Sequence, residues 1–139
     1  MLLTLGTSQV HFDWPTERPK FARITADHPP HDGDTIFVDI DMDLKDWKHD
    51  YPLRLDGCNA WEVGTEAGKA ARDNLRSILT PGLQVVLTTI KDYKYGGEFV
   101  ARVWLMDGTE LVPSLIAAQW LAPWDGRGKA PTPPWPRTV

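Results

Sequence analysis

The stretch Asp32-Gly33-Asp34-Thr35-Ile36-Phe37-Val38-Asp39-Ile40-Asp41, followed downstream by Arg54-Leu55-Asp56-Gly57-Cys58-Asn59-Ala60-Trp61-Glu62, decides how this chain is read. Asp-Gly is a turn dipeptide, because glycine takes positive φ without steric penalty. Thr35 to Asp43 opens with clustered β-branched and aromatic residues and reads as a strand leaving that turn. Asp34 is therefore expected at a turn-to-strand junction, a rigid place to hold a carboxylate. Tyr51 to Leu55 reads as the next strand, with the charged Lys45 to Asp50 as the hairpin connection before it. An arginine between two leucines projects from the face opposite to them, because strand side chains alternate with period two. Two acids, Asp34 and Glu62, and Arg54 could then face one spot, the minimum for holding a divalent cation and a phosphate together.

Outward from this centre, Phe21 to Ala26 reads as a first strand, broken at Pro29-Pro30. His28 and His31 have a suggestive spacing, but on a Pro-rich loop without a third ligand they read as exposed histidines. Thr65 to Leu79 is the clearest helix, with Thr65 as N-cap and Glu66 in the first turn. Its stripe of Ala67, Ala70, Ala71, Leu75, Ile78 and Leu79 has helical spacing, and the small residues early in it predict close approach to a sheet. Pro81-Gly82 ends it. Leu83–Lys91 and Glu98–Leu105 read as partner strands, and Val112-Pro113 opens a short helix. The expected class is α+β: a β-barrel with helices, of OB-fold type, five-stranded and Greek-key, with a helix after strand three and a short C-terminal helix. Residues 1–20 read as an N-terminal extension, with Thr7 to Phe12 as an extra strand and Trp14 as a packing residue. Residues 21–124 read as the barrel domain. The tail 125–139 carries too many prolines for regular structure and is expected to wrap the surface or remain disordered.

The 139 residues suit one domain with one core. A single cysteine, Cys58, excludes an internal disulfide and any two-cysteine metal motif. Met1 to Leu5 lacks a basic n-region and a long apolar run, so no signal peptide, no membrane span and a cytoplasmic location are expected. The formal charge of −4 argues against a protein that coats nucleic acid tightly.

The run Asp-Gly-Asp-Thr, then Arg-Leu-x-Gly-x-Asn-Ala-x-Glu, then Lys94-Tyr95-Gly96 resembles the staphylococcal-nuclease-like (thermonuclease) family over Phe21 to Trp124. The resemblance implies a Ca²⁺-dependent phosphodiesterase acting on DNA or RNA. It places Asp34 and Asn59 on the metal, with Ala60 lending its carbonyl. Glu62 acts on the attacking water and Arg54 holds the phosphate. Lys94, Tyr95 and Trp124 are candidate nucleotide contacts, the aromatics by stacking. The chain departs from the family pattern twice: Asn59 stands where aspartate is usual, and Gly97 and Glu98 stand where a second arginine is expected. A lost transition-state donor typically costs ~10²–10³ in rate. Two alternatives therefore stand beside the nuclease: a degraded module that binds nucleic acid or a nucleotide, and a protein-interaction domain on the same barrel. The plain structural alternative for the motif has Asp32 and Asp34 as turn formers and Arg54 paired with Glu62.

Overall fold

The computed structural model describes residues 19–92 and 98–137. Strands β1 (Lys20–Ile24), β2 (Thr35–Asp41) and β3 (Trp47–Leu55) are followed by a short β4 (Cys58–Asn59) and helix α1 (Glu66–Ile78). Then come β5 (Gln84–Asp92), β6 (Phe99–Leu105), helix α2 (Leu111–Ala117) and a short β7 (Ala122–Pro123). Five strands close into a barrel in the order β1-β2-β3-β6-β5, and β4 pairs separately with β7. All barrel neighbours are antiparallel except β3 with β6, which run parallel. The α+β barrel, with its helix after the third barrel strand and its short C-terminal helix, matches the expectation. The calls on Thr7 to Phe12 and on Trp14 lie outside the described residues.

The barrel fills its interior by alternation. Leu53 and Leu55 are fully buried while Arg54 between them is not, so the arginine leaves the barrel wall on the outside. Ile24, Ile36, Val38, Val85, Leu87 and Val103 join Leu53 and Leu55 in one cluster, with Leu75 and Leu79 from the first helical segment and Leu111 and Leu115 from α2. Side chains buried to this degree contribute about 1.5–3 kcal/mol each relative to exposure.

Three sequence expectations are corrected. The charged stretch taken as a hairpin connection enters the sheet: β3 begins at Trp47, and Lys48 pairs with Ile40 across a bulge. Asp39 makes that irregularity tolerable. Its buried carboxylate accepts hydrogen bonds from Asp50 N–H at 2.9 Å, Thr25 Oγ1 at 3.2 Å and Arg23 Nε at 3.0 Å. Burial pushes its pKa up, but the Asp50, Arg23 and Thr25 bonds outweigh that and hold it below the ordinary aspartate value. His28, expected to be merely exposed, is half-buried and stacks on Phe37 with centroids 3.5 Å apart.

The third correction concerns Gly33, which does not take a positive φ. Its missing side chain serves packing: a Cβ there would lie 2.8 Å from Ala60 Cβ and 3.0 Å from Ala71 Cβ. Gly68 has the same role in α1, where a Cβ would lie 1.7 Å from the Glu62 carbonyl oxygen. Thr65 caps the helix by accepting from Gly68 N–H at 3.0 Å, as its sequence position predicts. The helix and the Glu62 turn therefore pack backbone against backbone, which fixes the segment that carries Asn59 to Glu62.

Candidate phosphate site

The ladder between β2 and β3 brings the central residues together. Thr35 lies opposite Arg54, and Leu55 N–H donates to the Asp34 carbonyl at 2.8 Å. The same register places the Asp34 and Arg54 side chains side by side. Asp34 Oδ2 is 3.3 Å from Arg54 Nη2 and accepts from Ala60 N–H at 3.0 Å. Its Oδ1 accepts from Thr35 Oγ1 at 3.3 Å. Arg54 Nη2 also donates to Asn59 Oδ1 at 3.3 Å. The turn before β2 is held by Asp32, whose Oδ1 accepts from Asp34 N–H at 3.0 Å.

Asp34 is 4% exposed. Burial raises its pKa to about 7, helped by the neighbouring Asp32 charge and a side-chain hydrogen bond with Asp32; Arg54 and the Ala60 N–H pull the other way without prevailing. Asp32 was foreseen only as a turn former; here its charge and its hydrogen bond with Asp34 also help to raise the Asp34 pKa. Cys58, next along the chain, is buried, with its Sγ 3.5 Å from the Leu55 carbonyl oxygen, and burial pushes its thiol pKa far up. That makes it an inert packing residue.

The residues implied for a metal fit a guanidinium better than a calcium ion. Ca²⁺ takes six to eight oxygen ligands. Here the Asp34 and Asn59 side-chain oxygens both converge on Arg54 Nη2, which already supplies the positive charge between them. Ala60 turns its N–H toward Asp34. Among the described residues no group of three or more His, Cys, Asp or Glu side chains is placed to hold a metal. Glu62 is exposed on the turn before α1, with its carbonyl oxygen accepting from Thr65 N–H and Oγ1.

Beside Arg54 opens a cleft of about 270 Å³, lined among others by Asp56, Lys91, Val100 and Trp124. The Trp124 ring centroid is 5.9 Å from the Arg54 guanidinium carbon, within cation–π range. Its indole N–H donates to the Arg127 carbonyl at 2.9 Å, and its backbone N–H to the Gly57 carbonyl at 3.0 Å. Lys94 and Tyr95, the other predicted nucleotide contacts, lie outside the described residues, as does Gly97. Arg102 is committed elsewhere, with two 2.7 Å hydrogen bonds to the Glu110 carboxylate. A larger depression, about 680 Å³, lies along β1 and includes Phe21, Arg23, Asp39, Trp47 and Met106 in its walls.

Two contacts near the site escaped the sequence reading. Asn59 Nδ2 donates to the Pro131 carbonyl at 2.9 Å, and Trp61 Nε1 donates to the Pro133 carbonyl at 2.8 Å. The β4–β7 pairing brings the tail there, since Asn59 lies opposite Ala122. The repeated prolines of the tail were the available signal. No protein-family model matches the chain, and no curated protein matches its sequence.

Proposed function

We propose that this chain is a phosphodiester-binding module on an OB-type, thermonuclease-like barrel, with Arg54 as the phosphate anchor and nucleic acid or a nucleotide as its ligand. The observation that carries this reading is the convergence of Asp34 and Asn59 on Arg54 at the edge of the Trp124-lined cleft. An arginine held beside Asp34 and Asn59 keeps its permanent charge and a planar guanidinium, the geometry that matches a phosphate. Trp124 offers an aromatic face for a base next to it. The overall charge of −4 agrees with modest affinity rather than tight coating. Titrating a short labelled single strand into the protein with chelator present tests this. Arg54→Gln should weaken binding by about tenfold or more, in the range of losing one charge-assisted contact. Equal affinity of the two proteins would overturn the assignment.

Hydrolysis is the second reading, favoured by Glu62, whose carboxylate is exposed on a turn locked by Thr65 and Gly68. A carboxylate there could take a proton from an attacking water. Cleavage that appears with added Ca²⁺, vanishes with chelator and is lost in Glu62→Gln would support a nuclease. No cleavage under any of these conditions leaves the binding module.

A further inference from the structure

Beyond β7 the chain carries Pro131, Pro133, Pro134 and Pro136. Proline-rich strands favour the polyproline II conformation, which has no internal hydrogen bonds and leaves its carbonyl oxygens to outside donors. Here two such carbonyls, on alternate residues, meet two side-chain donors that are also on alternate residues: Asn59 for Pro131 and Trp61 for Pro133. Pro133 is buried although its flanking residues Thr132 and Pro134 are exposed, so one ring of the strand is inserted while its neighbours face solvent. Proline-rich segments elsewhere dock into grooves lined by aromatic residues, and here Trp61 lines the edge that receives Pro133. The far end is pinned separately. The Arg137 guanidinium lies 3.6 Å above the Trp120 ring, and its Nη2 donates to the Ala118 carbonyl.

We infer that the Asn59–Trp61 edge is a receptor for a proline-rich strand, occupied by the chain's own residues 131–136, and that this strap must leave before a ligand at the Arg54 cleft gains the Asn59 side-chain amide. The first half stands on the contacts above; the second rests on the phosphate reading of the site. Asn59 is the shared element. Its Oδ1 accepts from Arg54 while its Nδ2 donates to the tail, so one amide joins the phosphate anchor to the strap. An aspartate at this position could serve Arg54 but has no proton to give Pro131, and two acceptors would then face each other. The asparagine that departs from the nuclease-like pattern is thus the residue that lets the strap dock. The docking is also incomplete: Arg137 Nε is buried without a hydrogen-bond partner among the described residues. A buried donor left unpaired weakens the bound state and favours a strap that releases.

The test uses the full chain, with the solvent exchange of the Trp61 indole proton followed by NMR. In the wild type this proton should exchange slowly, because it is bonded to the Pro133 carbonyl. Asn59→Asp should speed exchange by roughly fivefold or more, the factor expected for losing one neutral hydrogen bond. Arg137→Ala, at the opposite end of the strap and away from the site, should act in the same direction. A saturating single-stranded oligonucleotide should speed it in the wild type as well. Unchanged exchange in both variants overturns the receptor. An oligonucleotide that binds, as judged by its own fluorescence anisotropy, yet leaves the indole proton slow overturns the gating. An oligonucleotide that binds none of these proteins overturns the phosphate reading and the gating with it, while the receptor is still judged by the two variants.

Discussion

Arg54 Nη2 and Asp34 Oδ2 stand 3.3 Å apart, with the two side chains only 15% and 6% exposed. A largely buried pair of this kind is strongly interdependent: removing one partner strands the other. Arg54→Ala should therefore raise the Asp34 pKa further, because a cation that lowers it is gone. It should destabilise the fold by up to about 3 kcal/mol at pH 8, where Asp34 must either take up a proton or stay charged without its partner. The loss should shrink at pH 5, because a protonated Asp34 needs no counter-ion. Urea unfolding at the two pH values checks this.

The raised pKa of Asp34 sets a sign for the pH dependence of stability. Its folded value of about 7 lies above the reference 3.8, so the folded state holds a proton that the unfolded chain has already released in between. The stability from this group is complete below pH ~4 and is lost as pH rises towards about 7. Asp39 works oppositely: its folded pKa is lowered, so its contribution is present above the unfolded value and lost as pH falls through the folded one. Asp34→Asn should abolish the decline between pH 4 and 7 and keep the acid-side loss. Asp32→Asn should shift the Asp34 titration downward, because a neighbouring charge that opposes ionisation is removed. Carbon-13 titration of the side-chain carboxyls reads both effects.

Glycine 33 and glycine 68 should be intolerant for different reasons. Gly33→Ala forces a methyl against Ala60 and Ala71 and should destabilise by about 1–3 kcal/mol, the usual range for overpacking. Gly68→Ala meets backbone at 1.7 Å, which cannot yield as a side chain can, so it should be the worse of the two and should displace Glu62. Gly64→Ala is the control, since nothing lies within 4 Å of the added carbon and its φ is not positive. Thermal unfolding of the three variants ranks them.

The barrel was legible because its signals are local. Alternation around Arg54, the Thr65 cap and the Pro81-Gly82 stop each depend on a few adjacent residues, and each recurs in the structure. The start of β3 was not legible. Lys48, His49 and Asp50 are polar and exposed, and they join the sheet through the pairing of Lys48 with Ile40 and the Asp39 carboxylate that accepts from the Asp50 amide. The convergence of Asp34, Arg54 and Asn59 was foreseeable from the motif, but its chemistry was not. Whether a buried aspartate faces a metal or a guanidinium depends on side-chain rotamer and strand register, which residue types alone do not carry. The strap was least legible, since contacts joining Asn59 to Pro131 and Trp61 to Pro133 leave no periodic pattern.

If the site also cleaves, the charge around it should limit the rate. Glu98 stands in the sequence where the nuclease-like pattern calls for a cation, and a carboxylate beside a phosphate would oppose the negative charge that develops on it. Glu98→Arg should raise any Ca²⁺-dependent cleavage by at least tenfold, part of the ~10²–10³ that one such donor typically supplies. Initial rates on a single-stranded substrate measure it, and an unchanged or lower rate would speak against hydrolysis at this site.

The claim that Arg54 anchors a phosphodiester without a metal is tested most directly by mapping where a ligand lands. Nitrogen-15 NMR of the full chain, titrated with a short single-stranded oligonucleotide in chelator, should move the Arg54 Nε–H, the Asn59 side-chain amide and the Trp124 indole on a single binding isotherm. Shifts confined to the depression along β1, around Arg23 and Trp47, or no shifts at all, would contradict it.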